Sequence, residues 1–220
     1  MGDLRAFLLL NGVVVLGVGL AHLGRRGGAS PRRIRRLTHF LVGFWPLLWG
    51  LFDTQLGALL TIGFWAVALT LLAAIPRYSR PLMDPFTFEG AWMWGSVSYA
   101  WTMVLVTLLL WNQRPLAAAS LLAMAAGDPV AEAIGERWGR HHFTIPWSSQ
   151  RTCEGTAAGF LGCCAGILIG LWASGAPIRP LPLIAAGIAG ALAEALTPAY
   201  LDNLTMTASV ALVLWALGGV

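Results

Sequence analysis

An all-α integral membrane protein of about eight transmembrane helices is the fold class this sequence predicts, and three observations predict it. The chain has 220 residues, of which 57% are hydrophobic and 11% charged, where a soluble domain carries about 25% charged residues. Its apolar residues fall in eight segments, 6–23, 37–52, 56–75, 91–111, 115–126, 155–173, 180–196 and 204–220, most of them close to the roughly 20 residues that cross a hydrocarbon core. Every basic side chain is an arginine, and the arginines flank the apolar segments, where positive charge sets membrane orientation. No polar stretch is long enough to fold alone, so residues 1–220 are expected to form a single polytopic domain with its polar loops at 127–156 and 197–203.

The first segment is followed by arginines rather than by a small-residue cleavage site, so a retained helix is expected. Residues 24–36, GRRGGASPRRIRR, form a flexible basic linker. It acts either as a topology signal against anionic lipid or as part of a polyanion site. The loop 76–90 carries Asp84, Glu89 and several aromatics, a lid or re-entrant piece. Segment 115–126 is too short to span unless it continues through Gly127-Asp128-Pro129. Proline suits the first turn of a new helix, so this element is expected to be broken near Gly127-Asp128. Irregular backbone at membrane depth needs surrounding protein or a wet cavity. The glycines of 155–170 and 187–190 allow close helix packing. Cys153, Cys163 and Cys164 show no metal-ligand spacing, and no disulfide is expected.

Charge placement orients the expected spans. With the N-terminus outside, the inward loops hold Arg25, Arg26, Arg32, Arg33, Arg35, Arg36, Arg77, Arg80, Arg137, Arg140 and Arg151, while Arg5, Arg114 and Arg179 fall outside. The asymmetry puts the polar loops on the cytoplasmic face. The same asymmetry accounts for the net charge of +4 without a nucleic acid partner.

One interval concentrates the chemistry. Residues 127–156, GDPVAEAIGERWGRHHFTIPWSSQRTCEGT, hold Asp128, Glu132, Glu136 and Glu154, four of ten acidic residues. A chain this apolar gathers charge only where it meets water, ions or a charged substrate, which marks the interval as the polar face of a membrane enzyme. Asp128, Glu132, Gly135 and Gly139 share one helix stripe. Two carboxylates and two bare positions there admit a ligand, or another backbone, at close range. Ser148, Ser149, Gln150, Arg151, Thr152 and the Gly155 and Thr156 amides suit phosphate oxygens, and Glu154 is an oxygen ligand for Mg²⁺. Other polar groups lie at the same ends of further segments: Arg35, Arg36 and His39 open the second, and Glu194, Asp202 and Asn203 flank the last connection. Ionisable groups at membrane depth are functional candidates by default. For His39 an interfacial histidine bonded to backbone, and for Asp202-Asn203 a capping turn, are equal alternatives. Glu194 is read as holding helices together, and His141 and His142 as groups at the C-terminal end of the helix.

Four ordered anchors carry a resemblance. Gly127-Asp128, Ala131, Gly135 and Gly139, then Arg151-Thr152-Cys153-Glu154-Gly155-Thr156, Arg35-Arg36 with His39, and Asp202-Asn203 resemble the polyprenol kinase family, which includes dolichol and phytol kinases. Arg151 stands where that family usually has lysine; the charge is kept, but the guanidinium geometry differs. The length is similar to that of the compact phytol-kinase branch. The resemblance implies transfer of the γ-phosphoryl group of CTP to the hydroxyl of a membrane isoprenoid alcohol at the cytoplasmic face, with Mg²⁺ as cofactor. On that implication Asp128, Glu154 and Asp202 are the catalytic and metal-binding residues. Arg36, His39, Gly135, Gly139, Arg151, Thr152, Gly155, Thr156 and Asn203 bind nucleotide or phosphate. The partners are the bilayer, a lipid alcohol and a nucleotide. The alcohol's identity and the oligomeric state are left open. A CDP-lipid synthase shares some of these elements but normally ends in a GG-x-x-D-R-x-D signature, where this chain reads TPAYLDNLT. A small-anion transporter needs polar residues spread through several spans, whereas these gather at one face.

Overall fold

The computed structural model describes residues 2–87, 93–147, 151–198 and 200–220. Glu89 and the Ser148-Ser149-Gln150 run lie outside the described residues. The chain divides into two compact units, one of Met1–His39 and Leu48–Leu109, the other of Phe40–Leu47 and Leu110–Val220.

In the first unit α1 (Asp3–Arg26) and α3 (Gln55–Ala74) begin side by side. The Asp3 carboxylate accepts from the backbone N–H groups of Asp53 (2.7 Å) and Thr54 (3.2 Å), and from the Thr54 hydroxyl at 2.5 Å. Thr54 in turn caps α3 by accepting from Gly57 N at 3.0 Å. A carboxylate that accepts from amides at a helix start is favoured by both the hydrogen bonds and the helix dipole. Gly57 leaves the room, since a Cβ there would lie 2.6 Å from Asp3 Oδ2. Between them the chain forms α2 (Pro31–Val42) and a 3₁₀ stretch, Trp45–Leu51. The segment expected as one span over 37–52 is therefore two pieces, because Pro46 has no N–H to continue a helix. α4 (Pro76–Met83) follows α3 after a sharp bend, held by the Ser79 hydroxyl donating to Leu72 O at 2.7 Å. It docks on the end of α1 through Arg25 Nε to Asp84 Oδ2, 3.4 Å, and a 3.0 Å contact of the His22 ring with Leu82 O. The described part of the expected lid is thus a helix packed into the unit. α5 (Trp94–Leu110) runs antiparallel to α3, its last carbonyls taken by Gln55 Nε2, which donates to Thr107 O and Leu108 O at 2.9 Å.

The second unit is built on α6 (Arg114–Trp138), one uninterrupted helix of 25 residues. The break expected near Gly127-Asp128 does not occur, and Pro129 lies inside the helix. Proline removes a single backbone bond, and tertiary packing here offsets that loss. α7 (Cys153–Ala173) runs antiparallel along α6 with a stripe of glycines against it. A Cβ on Gly170 would lie 2.6 Å from Ala119 Cα, on Gly162 2.8 Å from Ala126 O, and on Gly155 2.9 Å from Ala131 O; on Gly166 it would overlap the Leu122 carbonyl. The two backbones touch, so the Gly127–Pro129 turn is clamped on its α7 side. α8 (Pro180–Leu196) and α9 (Asp202–Ala216) complete the unit, each packed on α6 and on each other.

Among the described residues, α1, α3, α6 and α7 are long and apolar enough to cross a membrane, and α5 and α8 are shorter apolar helices. The expected count of eight spans does not stand. Hydropathy windows joined 37–52 into one span and read 115–126 as a separate one, where the chain makes a divided segment and a single long helix.

Candidate active site

The hairpin between α6 and α7 returns through a two-residue ribbon, β1 (His142–Phe143) and β2 (Arg151–Thr152), with His142 opposite Thr152 and Phe143 opposite Arg151. This pairing fixes where Arg151 leaves the backbone, at the entrance to α7. Its guanidinium turns inward with 18% of the side chain exposed. Nη1 donates to Glu194 Oε1 of α8 in a short charge-assisted bond, and Nη2 lies 3.7 Å from Asp202 Oδ2 at the start of α9. Glu194 is only 2% exposed and Asp202 7%. Burying a carboxylate without a cation is strongly unfavourable, so Arg151 is what lets both sit there. Asp202 Oδ1 also accepts from Asn203 N at 2.8 Å. From α6, Asp128 is within electrostatic reach of Glu194 and Asp202, and Glu132 within reach of Glu194. The ribbon, α8 and α9 thus bring two carboxylates onto one guanidinium, with Asp128 and Glu132 of α6 within electrostatic reach of those carboxylates.

Other expected residues play parts the sequence did not disclose. Glu154 stands in the first turn of α7, but its carboxylate accepts from Arg140 N (3.1 Å), from His141 N (3.2 Å) and from His141 Nδ1 (2.6 Å). It ties the end of α6 to the start of α7. Thr152 is the N-cap of α7, its hydroxyl accepting from Gly155 N at 3.0 Å, so that amide is already bonded. Gly135 and Gly139 are the places where Thr152 fits: a Cβ on Gly135 would lie 2.9 Å from Thr152 Oγ1, and one on Gly139 2.5 Å from Thr152 Cγ2. Of the two occupants the bare stripe allows, another stretch of chain is the one present. Thr156 follows, half-buried, in the same turn, and Asn203 is buried at the start of α9.

Arg36 and His39 belong to the first unit and are placed there by α2. Exposure along this helix does not follow polarity residue by residue, and Arg32 and Arg33 are exposed. Leu37 and Leu41, one turn apart, are 60% and 57% exposed, whereas Arg35, Arg36 and His39 on the opposite arc are half-buried. The His39 ring lies 4.2 Å from that of Tyr99 (centroid to centroid), and Tyr99 Oη donates to His39 O at 2.7 Å.

Among the described residues, no three His, Cys, Asp or Glu side chains gather closely enough to hold a metal ion. Asp128, Glu154 and Asp202 thus do not gather as a group of three in this structure. Mg²⁺ asks for less, because it keeps several waters and takes one or two carboxylates together with substrate phosphates. Asp128 and Asp202 interact electrostatically with each other, while the Glu154 carboxylate is taken by the Arg140 and His141 amides and the His141 ring.

A helical membrane protein with buried acids and one arginine at the ends of its helices is the class that fold and site define. The chain is 29% identical over 214 residues to the phytol kinase of Synechocystis sp. (strain ATCC 27184 / PCC 6803 / Kazusa), covering 93% of this chain and 87% of that protein. It is 26% identical over 178 residues to the chloroplastic farnesol kinase of Arabidopsis thaliana (75% of this chain, 57% of that protein). With probable phytol kinase 2, chloroplastic, of Oryza sativa subsp. japonica it shares 25% over 162 residues (67% and 53%). The chain thus spans most of the cyanobacterial relative and little more than half the length of the two plant relatives. No family model matches the chain. No solved structure matches it either. The relatives support a place for this chain in the polyprenol kinase family.

Proposed function

We propose that this protein is a prenol kinase that moves the γ-phosphoryl group of a nucleoside triphosphate, CTP by family resemblance, onto the hydroxyl of a membrane isoprenoid alcohol. The observation that carries the reading is the junction of Arg151 with Glu194 and Asp202, with Asp128 in reach, in a chain whose relatives are named phytol and farnesol kinases. Phosphoryl transfer asks a protein mainly for positioning and charge neutralisation. Asp128 receives the proton of the alcohol as its oxygen bonds to the γ-phosphorus. The bond from that phosphorus to the β–γ bridging oxygen breaks, and the nucleoside diphosphate leaves. Arg151 holds phosphate oxygens through the donors that Glu194 does not occupy. Asp202, with water and the substrate phosphates, would hold Mg²⁺, which would supply charge neutralisation on the phosphates.

The family resemblance alone gives Arg36 and His39 a share in binding nucleotide; within the first unit both are half-buried on α2. Glu154, Gly135, Gly139 and Thr152 act one step back by fixing the hairpin from which Arg151 extends. The prenyl tail lies along the lipid-facing surface, which is rich in leucine and tryptophan. A cytoplasmic face for the chemistry is part of what the family resemblance implies. In the first unit Arg25, Arg26, Arg32, Arg33, Arg35, Arg36, Arg77 and Arg80 all fall near the C-terminal ends of α1 and α3, and Arg5 alone near their starts, the asymmetry of a cytoplasmic face.

The test is an assay of purified protein with phytol, geranylgeraniol, farnesol and a longer polyprenol against CTP, ATP and UTP. Prenyl monophosphate together with nucleoside diphosphate is the expected result. Release of pyrophosphate from CTP and phosphatidic acid, with no prenyl phosphate in any lane, would make the protein a cytidylyltransferase instead.

A further inference from the structure

We propose that Glu194 is a positioning residue for the transfer, one that aims Arg151; this rests on the kinase reading above. Glu194 lies in the last turn of α8, its side chain 3% exposed, and its carboxylate takes Arg151 Nη1. A guanidinium is planar, so fixing one nitrogen fixes the plane and the direction of the remaining N–H groups. Those groups are Nε and Nη2. Both are shielded from water, and neither has a hydrogen-bond acceptor among the described residues. Nη2 is 3.7 Å from Asp202 Oδ2, close enough for attraction and too far for a direct hydrogen bond.

The arrangement leaves an edge of two parallel donors, the shape that meets two oxygens of one phosphate. It also keeps Asp202 from being consumed. Without Glu194, Arg151 is drawn onto the Asp202 carboxylate as a bidentate pair, which would occupy both the phosphate edge and a candidate metal ligand. The lysine usual in the family has no such edge to aim, because an ammonium is a compact charge that donates in any direction. Arginine at position 151 and its buried partner therefore work as a unit.

The experiment compares Glu194→Gln, Glu194→Asp, Arg151→Lys and the double variant Glu194→Gln with Arg151→Lys. Glu194→Gln keeps the shape and removes the charge; it is expected to raise the nucleotide KM by about 10-fold or more, the worth of a charge-assisted hydrogen bond, with the KM for the prenol unchanged. Glu194→Asp is expected to recover part of that loss. In the lysine background Glu194→Gln should have little further effect on nucleotide KM, since there is no donor edge left to aim.

A structural role alone predicts something else: lower thermal stability in detergent, with unchanged KM for both substrates per folded molecule, and equal effects in the arginine and lysine backgrounds. That result overturns the proposal. A second readout stands apart from turnover. Nitrogen NMR of the Arg151 guanidinium should show restricted rotation in the unaltered protein and its release in Glu194→Gln. Free rotation in the unaltered protein overturns the positioning. Restricted rotation in a protein that phosphorylates no prenol with any donor overturns the kinase reading and leaves the ion-pair geometry standing.

Discussion

The two units of this chain solve the problem of holding helices together in a membrane in different ways. The first is tied at its ends by side chains: Asp3 on the start of α3, Gln55 on the last carbonyls of α5, Ser79 on the bend into α4. Its α1 is left largely bare, with Leu8, Leu16, Leu20 and Leu23 all about 60% exposed, and a Cβ added at Gly12, Gly17 or Gly19 would meet nothing within 4 Å. The second unit is tied along its length by backbone, and the middle of α6 from Leu116 to Gly127 is buried on every side. Lipid tails are as apolar as leucine, so leucine surfaces are not driven together there; close approach through small residues is. The difference teaches where a membrane protein puts precision. The frame that holds Glu194, Asp202 and Arg151 together is made of backbone contacts that admit little give. The bare helix can face lipid.

Substitutions at glycines should break that comparison most sharply. Gly166→Leu drives a side chain into the Leu122 carbonyl and should cost at least about 3 kcal/mol, the upper range for overpacking, with loss of folded protein in detergent. Gly12→Leu has open space and should leave thermal unfolding unchanged; equal losses in the two would remove the distinction between the units. Next in size is Asp128→Asn, expected to lower prenyl phosphate formation by about 100-fold or more, the usual worth of a general base, while the unfolding temperature holds. Full turnover in that variant would take Asp128 out of the chemistry.

Glu154→Gln should sharpen the picture, since it loosens the tie from α7 to Arg140 and His141. A modest fall in turnover, below about 10-fold on the scale of a single hydrogen bond, is expected together with faster proteolysis in the connection that follows α6. A collapse like that of Asp128→Asn would return Glu154 to the metal shell. Smallest is the cap comparison. Thr152→Ala removes the buried cap of α7 and the group that fills the Gly135–Gly139 stripe, and should cost about 1–2 kcal/mol. The corresponding exposed cap in the first unit, Thr54→Ala, should cost less in the same unfolding measurement.

Much of this was legible in residue order. The span expected over 180–196 is α8 to the residue, and that over 56–75 differs from α3 by one position at each end. Both are uniform apolar runs between turn-forming residues, where hydropathy and helix propensity agree. The polar anchors were legible too, because charge in so apolar a chain is conspicuous. Their roles were legible only in part: Glu194 reads as a residue that holds helices together, and it does tie α8 to the ribbon through Arg151. Glu154 and Glu194 look alike in sequence, one beside a motif and one in a helix. The motif residue proves to hold the hairpin, and the helix residue holds the arginine. Gly127-Asp128-Pro129 looked like a break because local propensity says so, and packing on α7 kept it helical.

Composition and apolar spacing by themselves determined that this chain is all-helical and belongs in a membrane, since burying backbone polar groups in lipid leaves few alternatives to a helix. Tertiary structure alone decided which carboxylates meet. Glu194 and Asp202 are brought onto Arg151 from elements far apart in sequence, and helix approach depends on what fills the space between backbones. That quantity belongs to pairs of helices, and no single stretch of sequence carries it.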